Sequence, residues 1–357
     1  MRGNNMLFDI NTKKRSRISK KMDLLERDPI VAPVSTKKTE DPISKKTDVS
    51  NESDCLFVAS YGIMKSCDIF SKTPISSISQ VIDTDLSALM DANNNDKPTK
   101  TLYICSRAVS YFFTNMFPSI VCPFILVTGD CDECCPVDVF ADAEDFVRFI
   151  EDKRIIHWYS QNCVAYHPKL TQMPIGLDYQ TMASRNHEWG RQTSPLDQER
   201  LLQAIRKIME PFWERKPRAY SNFHFLLWTR FGQDRKDALT QIPRDCVYYE
   251  PEKCKRLDSW KKQTEFAFVI SPHGNGLDCH RTWEALCLGC IPIVKTSPLD
   301  PLFADLPVLI VQSWSDVSLT LMYDVVQLFR EREFNYQKLE LSYWMEMIRG
   351  GKRSDSK

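Results

Sequence analysis

FVISPHGNGLDCHRTWEALCLGCIPIVK, residues 268–295, reads as strand, loop, helix and strand in succession. An apolar run ends at Ser271 and a glycine-bearing loop follows. A helix is expected over 278–288, and Gly289 supplies a left-handed stop before the next apolar run. This is a βαβ unit. Ligands of such sheets sit beyond the carboxyl ends of the strands, where a helix N-terminus offers unpaired N–H groups and partial positive charge to a phosphate. Gly274 and Gly276 permit close backbone approach there, and with only 11 glycines in 357 residues their pairing singles out this loop.

The same alternation continues on either side. Towards the C-terminus, strands are expected at 223–228, 247–250, 266–271, 291–295 and 308–311, with a helix at 234–242 and a final helical stretch at 334–349. Towards the N-terminus, strands are expected at 56–60, 102–105, 124–128 and 155–159, with an amphipathic helix at 142–150. A long helix opening at Ser194-Pro195 joins the two series; Leu201, Leu202, Ile205, Ile208, Met209, Phe212 and Trp213 recur along it at helical spacing. The fold class expected is α/β, two Rossmann-like domains facing a cleft. The divisions are a disordered basic tail (1–50), an N-terminal acceptor domain (51–195), a C-terminal nucleotide domain (196–333), and a C-terminal helix packing back with a short tail (334–357).

Composition bounds the function. The chain has 47 Lys/Arg and 47 Asp/Glu, but residues 1–50 hold 12 basic against 7 acidic, leaving 35 against 40 for the rest. A mildly acidic body is a poor nucleic-acid binder, because phosphate affinity needs clustered cations. No run approaches the ~18 apolar residues of a membrane span, and the N-terminus has no apolar stretch behind its basic residues. No transmembrane segment is expected, and the expected location is cytoplasmic, in the host cytoplasm if the chain is viral. The cluster Lys13-Lys14-Arg15-Ser16-Arg17 reads as a solvated charge run or a nuclear-import signal. The 13 cysteines are an odd number scattered through apolar segments, as reduced core thiols are. The pairs Cys131/Cys134 and Cys287/Cys290 have knuckle spacing, but some 150 residues separate them, too many for a zinc ribbon, and no metal is expected.

Several side chains carry candidate chemistry. Arg281 falls in the first turn of the 278–288 helix with Glu284 three residues on; together they clamp a diphosphate and a ribose, or form a surface ion pair with Asp278 as N-cap. His280 and Glu284 are neighbours at i and i+4. His157, Gln161 and Asn162 follow a strand, facing the cleft or forming a capped turn. Asn222 and His224 begin a strand, and Arg230 and Arg235 after it offer further cationic contacts. Asp130 and Asp132 are read as non-metal carboxylates.

HGNGLDCHRTWEAL followed by GCIPIV resembles the donor-site signature of exostosin-type glycosyltransferases, GT-B-fold enzymes, especially the short forms of algae and large DNA viruses. ILVTGDCD (125–132), IIHWYSQNC (155–163), MPIGLDY (173–179) and SNFHF (221–225) resemble that group's blocks in the same order, so the likeness covers about 102–317. It implies transfer of a sugar from a nucleotide diphosphate sugar, UDP-sugar ahead of GDP-sugar, to a glycan, glycoprotein or other hydroxyl acceptor, with inversion and no cofactor. Carried over, Ser271, Gly274, Asn275 and Gly276 would line the phosphates, with His273 and His280 beside them; Arg281 would neutralise the leaving diphosphate and Glu284 would hold the ribose. Gln161, Asn162, Asn222 and His224 fall on the acceptor side. An inverting displacement needs a base from the first domain. Asp130, His157 and Asp178 are the candidates, Asp130 foremost because Gly129 lets the chain turn and aim its carboxylate. A catalytically silent glycan- or nucleotide-binding module is the alternative.

Overall fold

A computed structural model of the chain describes residues 52–71, 81–95 and 97–350, so the readings made for the tail at 1–50 and for 351–357 lie outside the described residues. There are two all-parallel sheets; their strands β2, β7 and β8 are buried on both faces, which is why those sequences are continuous apolar runs with little alternation. The first has order β1-β2-β3-β4, from Lys100–Cys105 (β1), Phe124–Gly129 (β2), Ile155–Gln161 (β3) and Leu170–Met173 (β4). The second has order β6-β5-β7-β8-β9, from Lys216–Ser221 (β5), Val247–Tyr249 (β6), Phe266–Ile270 (β7), Ile291–Lys295 (β8) and Leu309–Val311 (β9). Both sheets lie within one compact unit spanning 48–357.

Helices of seven residues or more cover the sheets: α1 Ser60–Ser66, α2 Ala143–Glu151, α3 Pro195–Arg206, α4 Gly232–Gln241, α5 Arg256–Gln263, α6 His280–Cys287, α7 Leu319–Arg330 and α8 Leu341–Gly350. Asp142 caps α2 by accepting from Asp145 N, and the helix buries Phe149 edge-on against Trp158 of β3 at 5.5 Å. That ring cluster anchors the core of the first lobe. After the second sheet the chain returns to the first: Tyr159 Oη donates to Met347 O (2.9 Å) and Arg349 donates to Ser66 O (2.8 Å), seating α8 beside α1. Among the described residues no helix is long and apolar enough to cross a membrane.

Four expectations are corrected. Residues 56–60 form no strand: Phe57 and Ala59 make single antiparallel bridges to Glu340 and Gly176, and Ser60 already opens α1. The strand expected at 223–228 lies earlier, as β5. Its first residues, Lys216 and Pro217, are polar or ring-constrained and exposed, whereas the apolar run after it is a 3-10 turn and a surface loop with Trp228 71% exposed. The connecting helix stops at Arg206; Ile208 is 84% exposed, and Pro211 prevents the helix from continuing to Trp213. The helix expected over 278–288 starts at His280, with Cys279 rather than Asp278 at its N-cap.

A two-chambered cleft at the strand ends

The loops after β2, β3, β5 and β7 converge on two adjoining chambers. The larger, about 530 Å³, lies over the second sheet and is lined by the Gly274-Asn275-Gly276 loop, Arg235, Arg281, Glu284, Asn222 and Trp189, among others. The smaller, about 370 Å³, lies over the first sheet and is lined by Asp130, Asp178, Gln161, Tyr61 and neighbours. Asp132, Ile175 and His280 line both and form the neck between them.

In the larger chamber the glycine loop is held from beneath. Gly274 N donates to Gly276 O (3.0 Å), and Gly274 O accepts from Phe231 N (2.9 Å). A Cβ on Gly276 would stand 2.8 Å from Asn162 Nδ2, so no larger residue fits against the first lobe there. Ser271 and His273 support this loop and line neither chamber: Ser271 Oγ bonds Thr282 Oγ1 (2.8 Å), His273 N donates to Asp234 (3.0 Å), and its Nδ1–H donates to Leu277 O (2.8 Å). Cys279 makes no side-chain cap to α6, while its own N–H donates to Asp278 Oδ1 (2.9 Å). Arg281 projects from that first turn with a long contact to Pro272 O (3.4 Å). Arg235 is buried beneath, donating to His273 O and Leu226 O; desolvation and the neighbouring Arg281 push it down to about 10. Arg230 lies outside the chamber, paired with Asp138 of the first lobe at 2.6 Å, while its N–H donates to Asn275 Oδ1.

Glu284 does not pair with Arg281. Its partner is Arg256 at 3.2 Å, which also donates to Gln198 Oε1 (2.9 Å) and Asp178 O and packs over Trp189 at 4.6 Å. Arg256 thus fixes Glu284 in the chamber wall and leaves its second oxygen available. Sequence reasoning missed Arg256: one basic residue in KCKRLDSW carries no signal until the fold brings α5 against α6. Trp260, on the next turn of α5, is 2% exposed and lines this chamber, and its Nε1 has no hydrogen-bond partner among the described residues. A buried indole N–H without an acceptor is costly, and a ligand acceptor atom would satisfy it.

Asp130 stands at the carboxyl end of β2 in a left-handed conformation (φ 53°), its N–H donated to Gln161 Oε1 (3.2 Å) and its Oδ2 accepting from Tyr61 Oη (3.3 Å). Burial, reinforced by the charges of Cys131, Asp178 and Asp132, pushes its carboxyl up to about 7, while the Tyr61 hydrogen bond opposes this. Asp178 differs: although burial raises it, His280, Arg256 and the bonds from Thr181 hold it below the ordinary value. Asp132, at the neck, is raised by burial against the pull of His280, Arg107 and Arg230. It belongs to the site although only Asp130, next to Gly129, stood out in TGDCD.

Three further candidates fall elsewhere. His157 lies near the start of β3, away from the strand end; its Nε2 meets Thr171 Oγ1 (2.8 Å), its ring packs at a tilt of 45° against Tyr159, and it lines neither chamber. His224 belongs to the second lobe and is tied to Glu250 O (3.0 Å), and Asn222, also from that lobe, lines the larger chamber with its amide on Ser259. Neither is on the first-lobe side. Asn162 is a fully buried strut, accepting from Asp278 N (2.8 Å) and donating to Cys131 O (3.1 Å). Asp278 carries on the tie, accepting from Ile175 N (2.7 Å) and from Trp283 Nε1.

No family model matches the chain, and no curated protein matches its sequence significantly. The class defined by the fold is therefore an α/β protein with two parallel sheets and a cleft at their strand ends.

Proposed function

We propose that the chain is a GT-B-type glycosyltransferase that moves a sugar from a nucleotide diphosphate sugar, UDP-sugar first, to a hydroxyl acceptor with inversion. The observation that carries this reading is the larger chamber, where a glycine loop, a helix start without a side-chain cap, Arg281 and an oriented Glu284 meet at the carboxyl ends of the strands. Such a set suits a nucleoside diphosphate: N–H groups and Arg281 on the phosphates, Glu284 on the ribose hydroxyls. Across the neck, Asp130 is a carboxyl near neutrality, suited to general-base work. The acceptor oxygen attacks the anomeric carbon as the bond to the diphosphate oxygen breaks. Asp130 takes the hydroxyl proton, and the diphosphate leaves carrying the electron pair towards Arg281.

A panel of UDP- and GDP-sugars with the purified protein tests this. Turnover of at least one donor is expected, falling roughly a hundredfold in Arg281→Ala, the cost of losing a charge-assisted contact to the leaving group, with an unchanged melting temperature. If nucleotides raise the melting temperature but no donor is consumed, the chain is a silent nucleotide-binding module instead.

A further inference from the structure

We propose that the smaller chamber selects a cationic, hydroxyl-bearing ligand, so that the acceptor carries a protonated amine beside the hydroxyl to be glycosylated. The ligand's role as acceptor rests on the glycosyltransferase reading; its charge does not.

Four of the chamber's side-chain donors are already engaged. Tyr61 Oη bonds Asp130, Ser60 Oγ donates to Ile175 O, Thr181 Oγ1 to Asp178, and Gln161 Nε2 to Cys131 O. Four carboxyl groups, Asp130, Asp132, Asp178 and Glu52, face the space, beside His280 at the neck and Gln180, with no Lys or Arg among the described lining residues. Glu52 supplies an independent sign. It is fully buried, its Oε2 is met by Lys65 at 2.7 Å, and its Oε1 has no hydrogen-bond partner among the described residues. A buried acceptor atom in a chamber wall calls for a ligand that brings donors, because leaving it unmet forfeits its hydration without return. An ammonium group brings three donors and the opposite charge. A carboxylate, sulfate or phosphate there would add like charge to a partly desolvated site.

The larger chamber has a mixed lining: Lys253 pairs with Glu188 and Arg256 with Glu284, while Arg235 and Arg281 are in no ion pair among the described residues. Two unpaired arginines on one side of the neck and a carboxylate-rich wall on the other keep a diphosphate and a cation in their own places, an electrostatic form of specificity.

D-glucosamine, D-glucose and D-glucuronate share a ring and differ in charge. Each is titrated into the full-length protein and followed by ligand-observed NMR, with UDP titrated separately to report the larger chamber. Glucosamine should bind at least about tenfold more tightly than glucose, and glucuronate more weakly than either. Glu52→Gln and Asp130→Asn, both near-isosteric, should each bring the glucosamine-to-glucose ratio down to about threefold or less. Equal affinities, a preference for glucuronate, undetectable glucosamine binding, or a preference that survives both substitutions overturns the proposal. If UDP fails to bind while the glucosamine preference and its loss in the variants persist, the glycosyltransferase reading falls and the charge selectivity stands.

Discussion

At the scale of single residues, Asp130 ties electrostatics to both rate and stability. Its native carboxyl, at about 7, lies above its unfolded value near 3.9, so between those pH values the folded state holds a proton that the unfolded state has lost. Stability contributed by this group is therefore present below pH ~4, is lost as pH rises, and is fully lost above ~7. Asp130→Asn removes that liability: its stability should exceed that of the wild type at pH 8 by up to about 4 kcal/mol, seen as a higher melting temperature, and the two should converge near pH 4. As a base, Asp130 works only when deprotonated, so wild-type kcat/KM should climb through pH ~7, and the asparagine variant should lose at least about a hundredfold in rate with donor affinity little changed. Parallel melting curves at all pH values would show the carboxyl to be unperturbed; normal turnover would move the base to Asp178, since His157 lies outside the cleft.

At the scale of elements, the segment after β4 sets how the neck is built. Gly176 has φ +66°, bridges Ala59, and offers its carbonyl to His280 Nδ1–H at 2.8 Å. A Cβ there would collide with the Val58 carbonyl, a backbone atom that Leu177 N already holds at 2.8 Å and that cannot give way cheaply. Gly176→Ala should therefore cost about 3 kcal/mol or more: roughly 1–2 for the left-handed conformation and the rest for the clash. Urea unfolding measures it, and a loss below about 1 kcal/mol would mean that 57–59 moves aside freely. β4 itself escaped the sequence reading because Leu170–Met173 is four residues long, with half-buried Thr171 and Gln172 between two apolar ends. So short and mixed a run becomes a strand only where β3 offers a pairing edge.

At the scale of the whole molecule, the lobes are tied through the cleft itself. Asp278 N reaches Asn162, Asp278 Oδ2 takes Ile175 N, and Gln172 Nε2 reaches Pro298 O (2.6 Å). Asp278 is 3% exposed, and burial pushes its carboxyl up to about 6 against the bonds from Ile175 N and Trp283. Asp278→Ala would leave two buried donors unmet at about 1–3 kcal/mol each, so a loss of several kcal/mol in chemical denaturation is expected. A loss under about 1 kcal/mol would show that the other cross-lobe contacts suffice.

What the sequence determined by itself is local. The apolar runs of β2, β7 and β8, the Ser194 cap, the glycine loop, and Arg281 with Glu284 within one turn were legible because each depends on residues close together in the chain. The tertiary structure decided which of these meet. Arg256 rather than Arg281 became the partner of Glu284, Asp132 came to the neck, and His157 and His224 were left outside the chambers, because contact between residues far apart in the chain, or the level along a strand at which a side chain stands, is not encoded in spacing. Charge followed the same division: the chain is neutral in sum, and only folding brought Arg235 and Arg281 to one chamber and Glu52, Asp130 and Asp178 to the other.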